Sequence, residues 1–473
     1  MRAEKLFETL NDINENDIVE ASTYKKRKPS PIRLLIPLAC AAAVFAIVLC
    51  LPLFKDRGSG STSGVLCVMA ACPDPVAENM NAAEFMMGDA HWEWWSAYRE
   101  GIKDNYELNN RLKTYYSSVM RKLLAYDENT VCSPLNTYLA FSMLAEVSDG
   151  NTRQQILDML GVADIETLRK NVSDLYIGNY VDTPVLKSIP ANSIWLNNET
   201  AYNDETLNLL ANQYYASSFR GAPGSEELNE ALREWMDKGT GGLLSEYTKE
   251  MATSPDLIME LISTIYYKAM WQTAFQADST DKAVFHGTNG DTDVDMMHMT
   301  TSMSVYKNES FTALGLGLSD SGGMFFFLPN ESKELDDLLS DDAIFDAISY
   351  ENVEDNWTYS LVNLSIPRFS VSCKSDVIDM LKELGVTDAM NATLADFSPL
   401  TDQSGIFLNK AEHAAMVEID EEGVTGAAYT DMELCGAGLP EDEIDFTADR
   451  PFMFIITGGD GSILFAGTIK NIE

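Results

Sequence analysis

The sequence predicts an α+β fold, and three observations carry that prediction. Helix-period segments gather between residues 107 and 160, whereas β-branched and aromatic runs recur from residue 257 onward. Residues 105–473 run without a break in composition, so one large domain accounts for them. No internal repeat divides that stretch.

Composition narrows the partners. Of the 473 residues 45% are apolar, enough for a sizeable core, and the formal charge is −40. That charge argues against nucleic acid or an anionic membrane face and favours solubility or cationic partners. The seven Cys are scattered, and no CxxC pair or Cys/His cluster holds a zinc or other metal ion. No disulfide framework follows from them; pairing of Cys67 with Cys72 stays open.

In chain order, residues 1–33 are polar and end in a basic cluster, Lys25-Lys-Arg-Lys28, with Arg33 beyond it. Leu34–Phe54 then runs 21 residues without a charge, the length of a bilayer-spanning helix. The basic flank places residues 1–33 in the cytoplasm and the remainder outside. A cleaved signal peptide is the rival reading, but its apolar region is shorter and closes on a small-x-small site, whereas this one closes on Leu-Pro-Leu-Phe. The 9 Lys and Arg and 7 Asp and Glu of residues 1–57 leave 24 basic against 66 acidic groups beyond, an ectodomain charge of about −42. Residues 55–104 read as an extracellular linker and extension: Gly58–Gly64 is flexible by composition, and Glu84–Tyr98 is helical, its Trp92, Trp94 and Trp95 packing on the main domain or at the membrane interface.

Within the domain, Glu107–Tyr126 is an amphipathic helix. Ser133-Pro-Leu-Asn136 is a turn before a helix over Thr137–Val147, and Thr152–Leu160 is a third helix. Trp235–Gly242 ends a helix and turns. Leu257–Trp271, Met324–Pro329 and Leu361–Phe369 are strands, and Asp376–Leu384 is a helix stopped by Gly385. Two further strands, Ala414–Ile419 and Pro451–Ile456, bracket an uncommon stretch, Glu421–Pro440. A loop of that length inside a compact domain is usually functional or disordered. From Val424 its alternate residues, Val424, Gly426, Ala428 and Thr430, are small, so the loop is able to become a strand with that set turned to a core.

Catalytic patterns are few. H-E-x-x-H, G-x-S-x-G and the P-loop motif are absent from the sequence. Ser319-Asp-Ser-Gly-Gly323 resembles the nucleophile segment of chymotrypsin-like proteases, but it lacks a matching base and stands where a hairpin turn is expected before Met324.

The C-terminal quarter carries a family resemblance. Lys410–Ala428 resembles the strand and hinge leading into a serpin reactive-centre loop, and Phe446–Phe454 with Ile463–Gly467 resembles the serpin C-terminal signature. Ser133–Ala140, Gly239–Gly242, Tyr266–Trp271, Met296-Met297, Phe326–Pro329 and Ile366–Phe369 are similar to other serpin segments in the family's order. The resemblance spans residues 105–473 and implies three β-sheets surrounded by about eight or nine helices, with the loop exposed. It further implies a suicide-substrate inhibitor of serine proteases that is not an enzyme, needs no cofactor or small-molecule substrate, and works as a monomeric ectodomain. The hinge would be Glu421, Glu422, Gly423, Val424, Thr425, Gly426, Ala427 and Ala428, free of Pro, Lys and Arg. The family's non-inhibitory members, which act as binding modules, tend to carry charged or bulky hinge residues. Ser133, Asn136, Ser263 and His413 match the buried cluster that keeps the main sheet shut, with Asn136 and Ser263 exchanged relative to the usual Ser and Asn. Counting from the hinge puts the cut at Ala437–Gly438; counting back from Phe446 puts it near Pro440, with Leu439 a lesser candidate. Residues 421–449 hold no Lys or Arg, which suits elastase-like or subtilisin-like proteases rather than trypsin-like ones.

Overall fold

The computed structural model describes residues 65–242, 244–349, 356–408, 410–424 and 442–472. Its contacts separate residues 1–60, which lie outside that set, from a unit of residues 61–473.

The described residues open with a short strand, β1 (Leu66–Val68), and two helices, α1 (Ala82–Met86) and α2 (Asp89–Ile102). Then comes α3 (Asn105–Leu123), whose Leu108, Leu112, Tyr115, Val119 and Leu123 form one buried stripe at helical spacing. After β2 (Thr130–Cys132), α4 (Pro134–Glu146) is buried on nearly every side and lies at the centre of the domain. The segment Ser133–Asn136 is not a turn ahead of this helix but its first turn. Ser133 caps it, its hydroxyl accepting from the Asn136 N–H, and Pro134 needs no donor at the first helical position. Next come α5 (Gly150–Leu160), closed by Gly161 at φ +70°, and α6 (Ile165–Asn179).

The middle of the chain supplies β3 (Val181–Asp182), β4 (Leu186–Asn197), α7 (Asp204–Gln213), β5 (Ala216–Gly221), α8 (Glu226–Gly239), α9 (Ser245–Thr248) and β6 (Met259–Met270). After it run β7 (Thr280–Gly287), β8 (Gly290–Lys307), β9 (Phe311–Gly317), β10 (Gly323–Pro329), α10 (Leu335–Leu338) and α11 (Ala343–Ser349). The last third is β11 (Trp357–Pro367), β12 (Phe369–Asp376), α12 (Ile378–Glu383), β13 (Glu412–Ile419), β14 (Gly423–Val424), β15 (Glu443–Thr447), β16 (Phe452–Thr457) and β17 (Ile463–Ile469). Leu361–Phe369 is thus not one strand: the chain leaves β11 at Pro367 and enters β12 at Phe369, in a different sheet.

The first sheet runs β1-β5-β4-β6-β14-β13-β12, with β3 paired to β4. The second runs β15-β11-β8-β9-β10-β16-β17-β2, with β7 paired to β8. Two of the three expected sheets are continuous because β8, at 18 residues, pairs with β7 and β11 and then with β9. Strands β10, β16 and β17 are buried at every position and form the apolar centre of the second sheet.

The extension is part of the folded unit. Val65 is buried, β1 pairs with β5, and Phe85 packs with Val185 and Met270. His91 Nε2 lies 2.8 Å from the carboxylate of Asp320, in the turn between β9 and β10. That turn is Ser319-Asp-Ser-Gly-Gly323; Asp320 takes φ +57° there, and the Ser321 hydroxyl accepts from Tyr267 at 2.9 Å. Cys67 and Cys72 are both free thiols.

Candidate functional site

The site is a seam in the first sheet. Strand β6 pairs with β4 on one side over eleven residues, Leu196↔Met259 to Leu186↔Ala269. On its other side, among the described residues, its ladder is the two-residue contact with β14: Gly423↔Met270 and Val424↔Ala269. Strand β13 pairs with β12 along its length and meets β14 at Ile419↔Val424. Below β14, among the described residues, β6 and β13 therefore face each other without a ladder. A cavity of about 640 Å³ lies there, lined by Leu261, Ile265, Phe407, Ala415 and Phe465 among others.

A tight hairpin holds the mouth of the seam. Asp420 Oδ1 accepts from the N–H groups of Glu422 at 2.8 Å and Gly423 at 3.1 Å, and the Asp420 N–H donates to the Gly423 carbonyl at 3.1 Å. Trp271 donates from its indole to the Asp420 carbonyl at 2.9 Å and from its backbone to Glu422 at 3.0 Å. Arg368, in the crossing from β11 to β12, grips the Glu421 carboxylate with two donors, Nε at 2.7 Å and Nη2. Burial works against the Glu421 charge, but Arg368 and Thr280 outweigh it and hold the carboxyl below its ordinary range. A Cβ built on Gly423 would stand 2.2 Å from the Ala269 carbonyl oxygen, so only glycine lets β14 approach β6 here. Val424 turns inward and is 3% exposed.

Halfway down the seam, the N-terminus of α4 faces both strands. The Ser133 N–H donates to His413 Nε2 at 2.9 Å, and Asn136 Nδ2 donates to the Ser263 carbonyl at 2.9 Å. The Ser263 hydroxyl donates to Asn136 Oδ1. Ser133, Asn136, Ser263 and His413 are thus one connected cluster joining α4 to β6 and β13. Burial lowers the His413 pKa to about 4, so the ring is neutral at ordinary pH, with Nε2 free of a proton to accept.

Of the candidate hinge residues, Glu421 to Val424 lie in this hairpin and in β14. Thr425, Gly426, Ala427 and Ala428, and the candidate cut residues Ala437, Gly438, Leu439 and Pro440, lie outside the described residues, as does Leu34–Phe54. No helix among the described residues is long and apolar enough to cross a membrane. The sequence did not disclose the grip of Arg368 on Glu421, because 53 residues separate them. The Asp420-Glu-Glu-Gly423 turn was open to reading from turn chemistry.

A mixed two-sheet domain with a ladderless seam, and a hairpin begun at its mouth, defines a class of protein. The serpin (serine protease inhibitor) profile matches residues 112–472, and the chain belongs to that family. Among relatives, Serpin B11 of Mus musculus is 28% identical over 363 residues, covering 72% of this chain and 92% of that one. The native state of tengpin, a thermophilic serpin, superimposes with a TM-score of 0.69 at 23% identity, over 77% of this chain and 94% of that one. Human thyroxine-binding globulin in complex with thyroxine superimposes at a TM-score of 0.66 and 21% identity, over 79% of this chain and 99% of that one.

Proposed function

We propose that this serpin is a membrane-anchored, outward-facing suicide inhibitor of serine proteases with shallow apolar pockets, elastase-like or subtilisin-like. The single observation that carries the reading is the seam between β6 and β13, which takes one antiparallel strand, together with β14, which already starts that strand. A protease attacks the loop at Ala437–Gly438 and forms an acyl-enzyme. The cut loop then zips downward from Val424 as a new central strand, carrying the protease along and distorting its active site. Each new ladder bond contributes about 1 kcal/mol net, and a strand of ten residues paired on both sides makes about 20 of them, so the product is stabilised by on the order of 20 kcal/mol. In this reading Ser133, Asn136, Ser263 and His413 keep the strands at their uncut spacing until the loop arrives. Leu34–Phe54 is the anchor, its N-terminal flank cytoplasmic, in the manner of a bacterial surface protein.

A second reading is a non-inhibitory serpin that serves as a binding module, favoured by the likeness in fold to thyroxine-binding globulin. Against it stands a hinge without Pro, Lys or Arg. Mixing the ectodomain with elastase, subtilisin and trypsin and running denaturing gels separates the two. A covalent complex with elastase or subtilisin supports inhibition, and loop cleavage without any complex supports the binding module.

A further inference from the structure

Strand β6 enters the first sheet at Met259, and β13 enters it at Glu412. The segments leading into these two strands wall the lower end of the cavity with Met251, Leu257, Ile258, Ile406, Phe407 and Leu408, all apolar. Leu257 and Ile406 are buried, whereas Phe407 is 45% exposed, so a large aromatic surface is left open to an incoming molecule. Along β6 the side chains alternate: Leu261 packs into the main core, and Ile262 packs with Leu228, Leu232 and Met236 of α8. Glu260 shares the face of Ile262 and lines the cavity from there.

Glu260 is a charge without a partner. It is half-buried, its carboxylate accepts no hydrogen bond and joins no ion pair among the described residues, and burial pushes its pKa up. The two amines of the lining are engaged elsewhere: Lys410 lies 2.6 Å and Lys374 3.1 Å from the carboxylate of Glu412. Asp256 adds a further carboxylate to the lining, and the helices above, α8 and α9, contribute Met236, Thr240, Leu244 and Tyr247, none of them charged at neutral pH. A carboxylate withdrawn from water and left unpaired is costly, and a cation brought to it removes that cost. One free carboxylate among apolar walls serves a bare divalent ion poorly, because such ions take six or more oxygen ligands. It suits an ammonium carried on an apolar body, and the cavity of about 640 Å³ has the size of a small-molecule site.

We propose that the lower end of this cavity is a binding site for a small aralkylamine: the ammonium pairs with Glu260, and the aromatic body packs on Phe407 and the apolar wall beside it. The site needs only the cavity and its unpaired carboxylate, so it stands whether or not a loop enters the seam from above. Charge decides its selectivity. An uncharged molecule of the same shape gains the apolar contacts alone, and an anion meets Glu260, Asp256 and Glu412.

The test titrates the ectodomain with tryptamine and, separately, with tryptophol, in which a hydroxyl replaces the amine. Isothermal titration calorimetry at about pH 7.5 keeps the amine charged. Salt at about 0.15 M screens its diffuse attraction to the acidic surface. Wild type is expected to bind tryptamine at least about tenfold more tightly than tryptophol. Glu260→Gln is expected to abolish that preference while tryptophol binding stays within about twofold of wild type. Phe407→Ala, a change at an exposed ring, is expected to weaken both ligands at least about threefold, and it tests the site even where Glu260→Gln folds poorly. Equal affinities in wild type overturn the proposal, as does a preference for the amine that survives Glu260→Gln. An absence of tryptamine binding overturns it as well, and so does Phe407→Ala without effect on either ligand.

Discussion

The Nε2 of His413 accepts from the Ser133 N–H only while the ring is neutral, and burial keeps it so down to about pH 4. The ordinary imidazole value is 6.5, so the unfolded chain binds this proton first as pH falls. The stabilisation is therefore complete above about pH 6.5 and is lost progressively toward pH 4, amounting to on the order of 3 kcal/mol. Urea titrations across that window are expected to show a loss that His413→Ala largely abolishes; parallel slopes in the two proteins would count against the assignment. The same substitution removes one of the contacts by which α4 holds β13, so mild heating is expected to yield polymers earlier than in wild type, read by native gels. At the mouth of the seam, Arg368→Ala leaves the Glu421 carboxylate, 7% exposed, without its bidentate partner. A lower melting temperature of the uncut form and faster loss of inhibitory capacity on storage are expected, because Glu421 then holds the hairpin less firmly. Family motifs brought His413, Ser263, Asn136 and Ser133 together in the sequence, but the Arg368–Glu421 pair joins residues with no local pattern between them.

At the scale of elements, the parts legible in the sequence were those with strong periodicity or punctuation. The stripe of α3, the stop at Gly385, which takes φ +96°, and the apolar runs of β10 and β16 follow directly from residue spacing and punctuation. The start of α4 was misplaced because Ser-Pro reads equally as a turn and as a cap with proline at the first helical position. Strand β1 has only three residues, too few for an alternation, and its existence depends on the free edge of β5. The break at Arg368 is invisible to hydropathy because Ile366 and Phe369 are both buried, each in its own sheet. The seam has its own consequence at this scale. On the insertion reading Ala428 belongs to the small, inward set of the loop, and a charged side chain taken into the sheet there would have no partner. Ala428→Arg is expected to turn the protein into a substrate, with at least about a tenfold rise in the serpin needed per protease inactivated. An unchanged ratio on titration would mean that the loop does not enter this seam.

For the whole molecule, the fold class was open to sequence reasoning, whereas the distribution of its strands was not, because β8 joins two expected sheets through its length alone. Residues 421–449 hold no Lys or Arg. Trypsin is expected to form no stable complex through the loop, and a covalent complex mapped to a loop bond would contradict that. The most direct measurement of the central claim is intact-mass spectrometry of the ectodomain after reaction with elastase under denaturing conditions. Protease trapping at Ala437 predicts a single covalent species made of elastase and the chain ending at that residue, with residues 438–473 released from it. Two non-covalent fragments beside free, active elastase would contradict it.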